Sequence, residues 1–99
     1  MVGLTAKWQD GVLRLSGELD LATDEDLLIA FRSVSYNGSG VILDLSELEF
    51  IDSTGICAFM TIAKEASPRG VVLRSPRRLV RKVIDLTRLQ DLADVRVDD

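Results

Sequence analysis

The sequence of 99 residues contains no histidine and a single cysteine, Cys57. Without histidine the chain cannot form a Ser-His-Asp or Cys-His catalytic set. With one thiol it can form neither an internal disulfide nor a cysteine cluster for zinc. A disulfide-free chain that keeps a thiol is typical of the cytoplasm. We therefore expect a cytoplasmic protein that is not an enzyme and that uses no metal or cofactor.

Aromatic residues and long apolar runs are also scarce. Aromatics make up 5% of the chain, too few for a platform that stacks single-stranded nucleic acid. No apolar run approaches the roughly 18 residues of a membrane span, and no basic start leads into a long apolar stretch. The net charge of −4 argues against direct binding to nucleic acid. The sequence thus predicts neither a membrane span nor a secretory signal.

Hydrophobic residues nevertheless make up 46% of the chain, which excludes intrinsic disorder. The length suits one core, so we expect a single domain over residues 1–99. Residues 1–66 hold 4 basic and 11 acidic side chains, a net charge of −7, and residues 67–99 hold 8 basic and 5 acidic ones, a net charge of +3. The basic last third is either the solvated face of a helix or a surface that docks a partner or faces lipid.

Hydrophobic periodicity predicts the order strand, strand, helix, strand, helix, strand, helix, strand. Alternating residues on both sides of Asp10-Gly11 predict a hairpin with strands at about 4–9 and 12–17. The segment Thr23–Asp26 fits a capping box, which starts a helix over about 24–35.

The middle of the chain begins with the apolar run 41–45, which favours a strand covered on both faces with parallel neighbours. A turn containing Glu47 is expected to follow it. A helical stripe then runs to about residue 66, and 71–73 form a short buried strand.

The last helix is predicted to start at Ser75-Pro76, a capping hydroxyl followed by proline at the first helical position. Its apolar face is formed by Leu79, Val83 and Leu86 and flanked by Val80 and Ile84. A short edge strand at about 94–97 closes the chain. Right-handed crossovers place successive helices on one face. We therefore predict an α/β fold with a four- to five-stranded mixed sheet and about three to four helices mostly on one face.

The segment Asp52-Ser53-Thr54-Gly55 lies between a predicted strand and helix, where backbone N–H groups attract anions. Ser53 or Thr54 could simply cap that helix, or Ser53 could be functional. Ser53 has no histidine base and no Gly-x-Ser-x-Gly elbow, so a nucleophile is excluded, and no phosphate-loop pattern occurs. Cys57 is interpreted as an inert core thiol.

Three blocks of residues together carry a family resemblance. They are Gly-Glu-Leu-Asp at 17–20, Val-Ile-Leu-Asp-Leu-Ser at 41–46 and Phe-Ile-Asp-Ser-Thr-Gly-Ile at 50–56. With the tail around Leu86-Thr87-Arg88-Leu89, they span about residues 4–97. In this order and spacing the chain resembles the STAS domain, and specifically the bacterial anti-sigma factor antagonists (anti-anti-sigma factors). The resemblance implies a STAS-type fold.

The resemblance also implies a partner switch centred on Ser53, the position that the family phosphorylates. The unphosphorylated protein would bind an anti-sigma factor with serine/threonine kinase activity and free a sigma factor for transcription. Phosphorylation on Ser53 by that kinase would release the complex, and a serine/threonine phosphatase would reset it. The free protein is expected to be a monomer. The implied acceptor loop and partner-binding residues are Asp20, Asp52, Thr54, Gly55 and Ile56.

Several positions depart from the family pattern, among them Arg88, Thr54 and Cys57, and one alternative function stays open. Arg88 stands where the family commonly has glycine, so the last helix is expected to end without a left-handed cap. Thr54 is a second candidate acceptor. The alternative function is that of a STAS-like cytoplasmic subunit of a lipid-transport ABC system, which would dock on its ATPase without a phosphorylation cycle on Ser53.

Overall fold

The computed structural model describes residues 3–34 and 40–99. This part of the chain has the predicted order of elements, and residue 35 of the first predicted helix lies outside it. A 3-10 turn at Leu89–Asp91 joins the last helix to the last strand. The elements are β1 (Leu4–Gln9), β2 (Val12–Leu19), α1 (Asp24–Val34), β3 (Val41–Ile51), α2 (Ser53–Glu65), β4 (Val71–Arg74), α3 (Arg78–Thr87) and β5 (Val95–Asp98).

The five strands form one mixed sheet in the order β1-β2-β3-β4-β5. The β1–β2 hairpin is antiparallel, and every later pair is parallel. Because each crossover from β2 to β5 advances in the same direction, right-handed connections place the three helices on one face. The predicted α/β fold, with its mixed sheet and one helical face, is confirmed. In the described part of the chain, no helix is both long and apolar enough to cross a bilayer.

A row of leucines on the central strands forms the floor of the core. Leu13, Leu43 and Leu73 are register partners on β2, β3 and β4, and all three are fully buried. Phe31 from α1 and Phe59 from α2 are buried above the sheet. Full burial of one such side chain contributes about 1.5–3 kcal/mol, so this layer fixes the helices on the sheet.

The predicted turn at Glu47 is wrong, because β3 continues through it to Ile51. The pairing shifts by one residue where Arg14 pairs with Asp44 but Ser16 pairs with Glu47. The Asp44 carboxylate accepts the Ser46 N–H at 2.9 Å and the Arg14 Nε–H at 3.2 Å. These bonds stabilise an irregularity that bends the strand without ending it. The parallel neighbours of β3 are confirmed, although helices cover only one of its faces.

Helix α3 begins at Arg78, two residues later than predicted, and Ser75 does not cap it. Ser75 adopts a left-handed φ of 53°, and its N–H donates to the Asp98 carbonyl at 2.7 Å. The backbone of Ser75 therefore belongs to the end of the sheet, since pairing of β4 with β5 extends to this residue.

The buried face of α3 also differs from the prediction. Val80 and Ile84 are fully buried, whereas Leu79 and Leu86 are 70% and 74% exposed and Val83 is half-buried. Val80 with Ile84, and Leu79 with Val83 and Leu86, each have the spacing of residues on one side of a helix. The first group packs against the sheet, so the second group forms an apolar stripe that faces outward.

The left-handed cap of α3 forms despite the missing glycine. Arg88 has φ 57° and ψ 33°, and its N–H bonds to the Asp85 carbonyl at 3.1 Å. The prediction that the cap would be absent is therefore wrong. The Arg88 side chain is exposed, and its Nε–H donates to Asp91 at 2.6 Å, which offsets part of the roughly 1 kcal/mol cost of this conformation.

The orientation of α3 predicts that a buried and an exposed residue of the same helix contribute differently to stability. We expect Ile84→Ala to lower the free energy of unfolding by about 2–4 kcal/mol, because it opens a cavity in the core. Leu86→Ala, two positions away on the same helix, should change it by under about 0.5 kcal/mol. Urea unfolding followed by circular dichroism measures both, and equal losses would contradict this orientation of α3.

Candidate functional site

The site lies where the carboxyl ends of β2 and β3 meet. Leu19 and Ile51 are register partners on these parallel strands, and each is followed by an aspartate. The Asp52 N–H donates to the Leu19 carbonyl at 3.2 Å. The structure thus brings together Asp20 and Asp52, which the sequence places 32 positions apart.

Asp52 is the N-cap of α2. Its Oδ1 accepts the N–H groups of Thr54 at 2.9 Å and Gly55 at 3.1 Å, and also the Thr54 hydroxyl at 2.6 Å. The Thr54 hydroxyl does most to hold the pKa of Asp52 below its usual value, the backbone N–H groups add to this, and partial burial opposes it. Asp52 therefore supplies both a helix cap and a fixed negative charge.

Ser53 is the first residue of α2 and is exposed. Among the described residues, nothing is hydrogen-bonded to its hydroxyl, since Asp52 already satisfies the N–H groups that a capping serine would take. The Thr54 hydroxyl, by contrast, is committed to Asp52. The two neighbouring hydroxyl groups therefore differ in availability, and only Ser53 presents a free one to solvent.

The Ser53 side chain opens into a shallow groove of about 220 Å³ between α1 and α2. Cys57 lies in this groove and is exposed, so its prediction as a core thiol is wrong. The inward positions of α2 are taken by Ile56, Ala58 and Phe59 instead. The groove is lined by Asp24, Leu28, Ser53, Thr54, Cys57, Ala58 and Thr61.

Gly55 and Ile56 support the site from beneath. Both are buried, and a Cβ on Gly55 would lie 2.6 Å from Ile51 Cγ1 and 2.9 Å from Leu19 Cγ. The absence of a side chain at Gly55 lets the first turn of α2 rest directly on the ends of β2 and β3.

The loop after β2 is held by its own hydrogen bonds. Asp20 Oδ1 accepts the Ala22 N–H at 3.0 Å, and Thr23 Oγ1 accepts the Asp20 N–H at 3.0 Å. The Thr23 hydroxyl donates to the Glu18 carbonyl at 2.9 Å. It therefore turns back to β2, and the predicted capping box of α1 is not formed.

Several residues of this site escaped the sequence analysis, among them Leu21, Asp24 and Thr61. Leu21 is an exposed loop residue whose N–H contributes to the low pKa of Asp52, and no local pattern marks it. Asp24 and Thr61 line the groove because α1 packs beside α2, an arrangement that neither helix encodes alone.

The Ser53 hydroxyl lies where the N-terminus of a helix favours negative charge. The free hydroxyl is at a helix N-terminus, where a phosphate gains about 0.3–1 kcal/mol from the helix dipole. Among the residues that line the groove there is no lysine or arginine, Asp24 is one of them, and Asp52 directly precedes Ser53. Within residues 3–34 and 40–99, no group of three or more His, Cys, Asp or Glu side chains is placed to hold a metal ion.

We expect Gly55→Ala to destabilise the fold by about 1–3 kcal/mol through overpacking against Ile51 and Leu19, although alanine is the better helix former. Ser53→Ala, in the same helical turn, removes only an exposed hydroxyl and serves as the control, with an expected change under about 0.5 kcal/mol. Urea unfolding measures both. A Gly55→Ala protein as stable as the control would show that the strand ends do not restrict α2.

The low pKa of Asp52 predicts a pH dependence of stability. The ionised carboxylate contributes stability above the unfolded-state pKa of about 3.9, and this is lost as pH falls through the lower folded-state value. Asp52→Asn keeps the cap geometry and removes the charge. We expect wild type to exceed this variant by a few tenths to about 1 kcal/mol at pH 7. The difference should shrink as pH falls from about 5 through the folded-state pKa, which lies below the unfolded-state value, and a constant difference in unfolding scans would contradict the role of the charge.

Comparisons with known proteins agree with this fold. A family model described as "Mlab, STAS domain" matches residues 2–95. The fold is similar to the anti-sigma factor antagonist SpoIIAA in its unphosphorylated form, with a TM-score of 0.72 and 21% identity over 98% of this chain and 89% of that one.

An anti-sigma factor antagonist from Mycobacterium paratuberculosis is also similar, with a TM-score of 0.72 and 26% identity over 97% of this chain and 86% of that one. The resemblance drawn from the three sequence blocks is thereby confirmed. With nearly its whole length covered by the family model, the chain belongs to the STAS-domain family.

Proposed function

We propose that this protein is an anti-sigma factor antagonist whose binding is controlled by phosphorylation on Ser53. The unphosphorylated form binds an anti-sigma factor that is also a serine/threonine kinase, and a sigma factor is freed for transcription. The protein acts in the cytoplasm and is a monomer when free. The observation that carries the proposal is the uncommitted Ser53 hydroxyl at the first position of α2.

The different hydrogen bonding of Asp52, Ser53 and Thr54 supports Ser53 as the acceptor. Asp52 caps the helix, and the Thr54 hydroxyl bonds to Asp52 at 2.6 Å. Phosphorylation of Thr54 would break that bond and bring a dianion against a carboxylate. Phosphorylation of Ser53 disturbs no hydrogen bond within the described part of the chain.

The chemistry of the cycle requires nothing further from this chain. The kinase transfers the γ-phosphoryl group of its bound ATP to Ser53 Oγ, so a P–O bond to serine forms and the bond to ADP breaks. The hydroxyl proton goes to a base on the kinase. A serine/threonine phosphatase then directs water onto the phosphorus, which releases inorganic phosphate and restores the hydroxyl.

The local charges explain why phosphorylation would dissociate the complex without refolding the protein. In the free domain, water and the α2 N-terminus accommodate the added charge of about −1.5 to −2. At an interface the same charge is desolvated beside Asp24 and Asp52, with no cation among the residues that line the groove. Such burial costs several kcal/mol, and each 1.4 kcal/mol lowers affinity about tenfold.

Three baits from the native cells test this function: wild type, Ser53→Ala and Ser53→Asp. We expect Ser53→Ala to retain an ATP-binding anti-sigma protein and Ser53→Asp to lose at least about 90% of it, because the added carboxylate mimics part of the phosphate charge. The captured protein, supplied with labelled ATP, should phosphorylate wild type and not Ser53→Ala.

Thr54→Val is the matched control, because it removes the neighbouring hydroxyl and leaves Ser53 in place. It should still be phosphorylated by the captured kinase. Loss of labelling in Thr54→Val with labelling retained in Ser53→Ala would assign the acceptor to Thr54. Capture of the ATPase of a lipid-transport system by all three baits would overturn the sigma-factor role and support the alternative function.

A further inference from the structure

The outward apolar stripe of α3 forms a second surface, next to the acceptor site. Leu79 and Leu86 stand mostly in solvent, and Phe50 at the end of β3 is 47% exposed beside them. Together with half-buried Val83 they border a concavity of about 210 Å³, which we name the α3 groove. It is lined by Glu49, Phe50, Ile51, Leu79, Val80, Lys82, Val83 and Leu86.

The spacing of the stripe suits a helical partner. Leu79, Val83 and Leu86 occupy positions i, i+4 and i+7 of α3, the spacing by which one helix packs along another. Single exposed leucines are ordinary on protein surfaces, whereas three large apolar side chains around one concavity mark an interaction site.

The positive charges beside the α3 groove favour a negatively charged binding partner. Arg78 and Lys82 flank the stripe, and within residues 3–34 and 40–99 neither makes an ion pair. The other two cations of residues 77–82 are engaged, Arg81 by Asp85 and Asp99. Arg77 pairs at 4.0 Å with Glu49, the carboxylate that lines the groove.

A second copy of this chain would bring the same free cations against each other in a symmetric pair of α3 helices, which is unfavourable. A helix with an apolar stripe flanked by acidic residues instead neutralises Arg78 and Lys82 while it covers the leucines. The concave shape between Phe50 and α3 also fits a ridge of side chains better than a flat lipid surface.

The position of the α3 groove connects it to the acceptor site. Ile51 lines the groove, and the next two residues are Asp52 and Ser53. An occupant of the groove therefore lies beside the loop that the partner must reach to phosphorylate Ser53.

We propose that the α3 groove docks an acidic amphipathic helix of the same partner that binds the acceptor loop. The proposal rests on the proposed function for the identity of that partner. Phe50, Leu79 and Leu86 supply the apolar contact, and Arg78 and Lys82 set the charge preference.

The first test uses two labelled 18-residue helical peptides with leucines at i, i+4 and i+7, one flanked by glutamates and its twin by lysines. Fluorescence anisotropy should show the acidic peptide binding at least about tenfold more tightly than the lysine twin. The double variant Leu79→Ser/Leu86→Ser should weaken binding at least about tenfold. Ile29→Ser, which replaces a 60% exposed residue on α1, is the control and should bind like wild type.

Because both leucines are mostly exposed, the double variant should fold, and circular dichroism checks this. Equal binding of the two peptides would overturn the proposal. Leucine-dependent sedimentation with phosphatidylglycerol vesicles, or a leucine-dependent dimer in analytical ultracentrifugation, would overturn it in favour of a lipid surface or a second copy.

The second test places a photo-crosslinking residue at Leu86 in the Ser53→Ala bait. A crosslink to an acidic amphipathic segment of the kinase that this bait retains supports the proposal, and a crosslink to any other protein overturns it. The peptide assay involves neither kinase nor phosphorylation. A negative peptide result would therefore contradict the docking proposal alone, and a negative labelling result would contradict phosphorylation on Ser53 alone.

Discussion

The hydrogen bonds of the Asp52 carboxylate are the interaction on which the rest of the site depends. One oxygen accepts two backbone N–H groups and one hydroxyl, and so joins the end of β3 to the start of α2. Because aspartate provides the cap, the adjacent serine is left without a structural task. A change at the Ser53 hydroxyl would therefore leave the cap of α2 in place.

Parallel strands supply the second requirement, a shared edge. The register of Leu19 with Ile51 places the loops after β2 and β3 side by side, and Gly55 allows α2 to start directly above them. The result is a platform that carries several carboxylates, and among the described residues no lysine or arginine lines its groove. Such a platform tolerates an added phosphate in water but not in a dry interface, which is the behaviour that a reversible binding switch needs.

The apolar stripe on the outer side of α3 is a second exposed surface of the domain. A helix with two apolar sides can bury only one of them against a sheet, and here Val80 and Ile84 are buried. The remaining side, with Leu79 and Leu86, contributes nothing to the core. Its basic neighbours contrast with the acidic first two thirds of the chain, so the domain presents two chemically distinct surfaces on either side of the end of β3.

The sequence by itself determined the order of elements, the mixed sheet and the position of Asp52-Ser53-Thr54-Gly55 between a strand and a helix, because these follow from local periodicity and from blocks of contiguous residues. Only the tertiary structure decided that α3 turns Leu79 outward, that Cys57 faces the groove, that β3 continues past Glu47 and that Asp52 takes the cap. The physical reason is the same in each case. Both stripes of α3 are apolar, and several residues near Ser53 can cap a helix, so the choice is made by the elements packed against them.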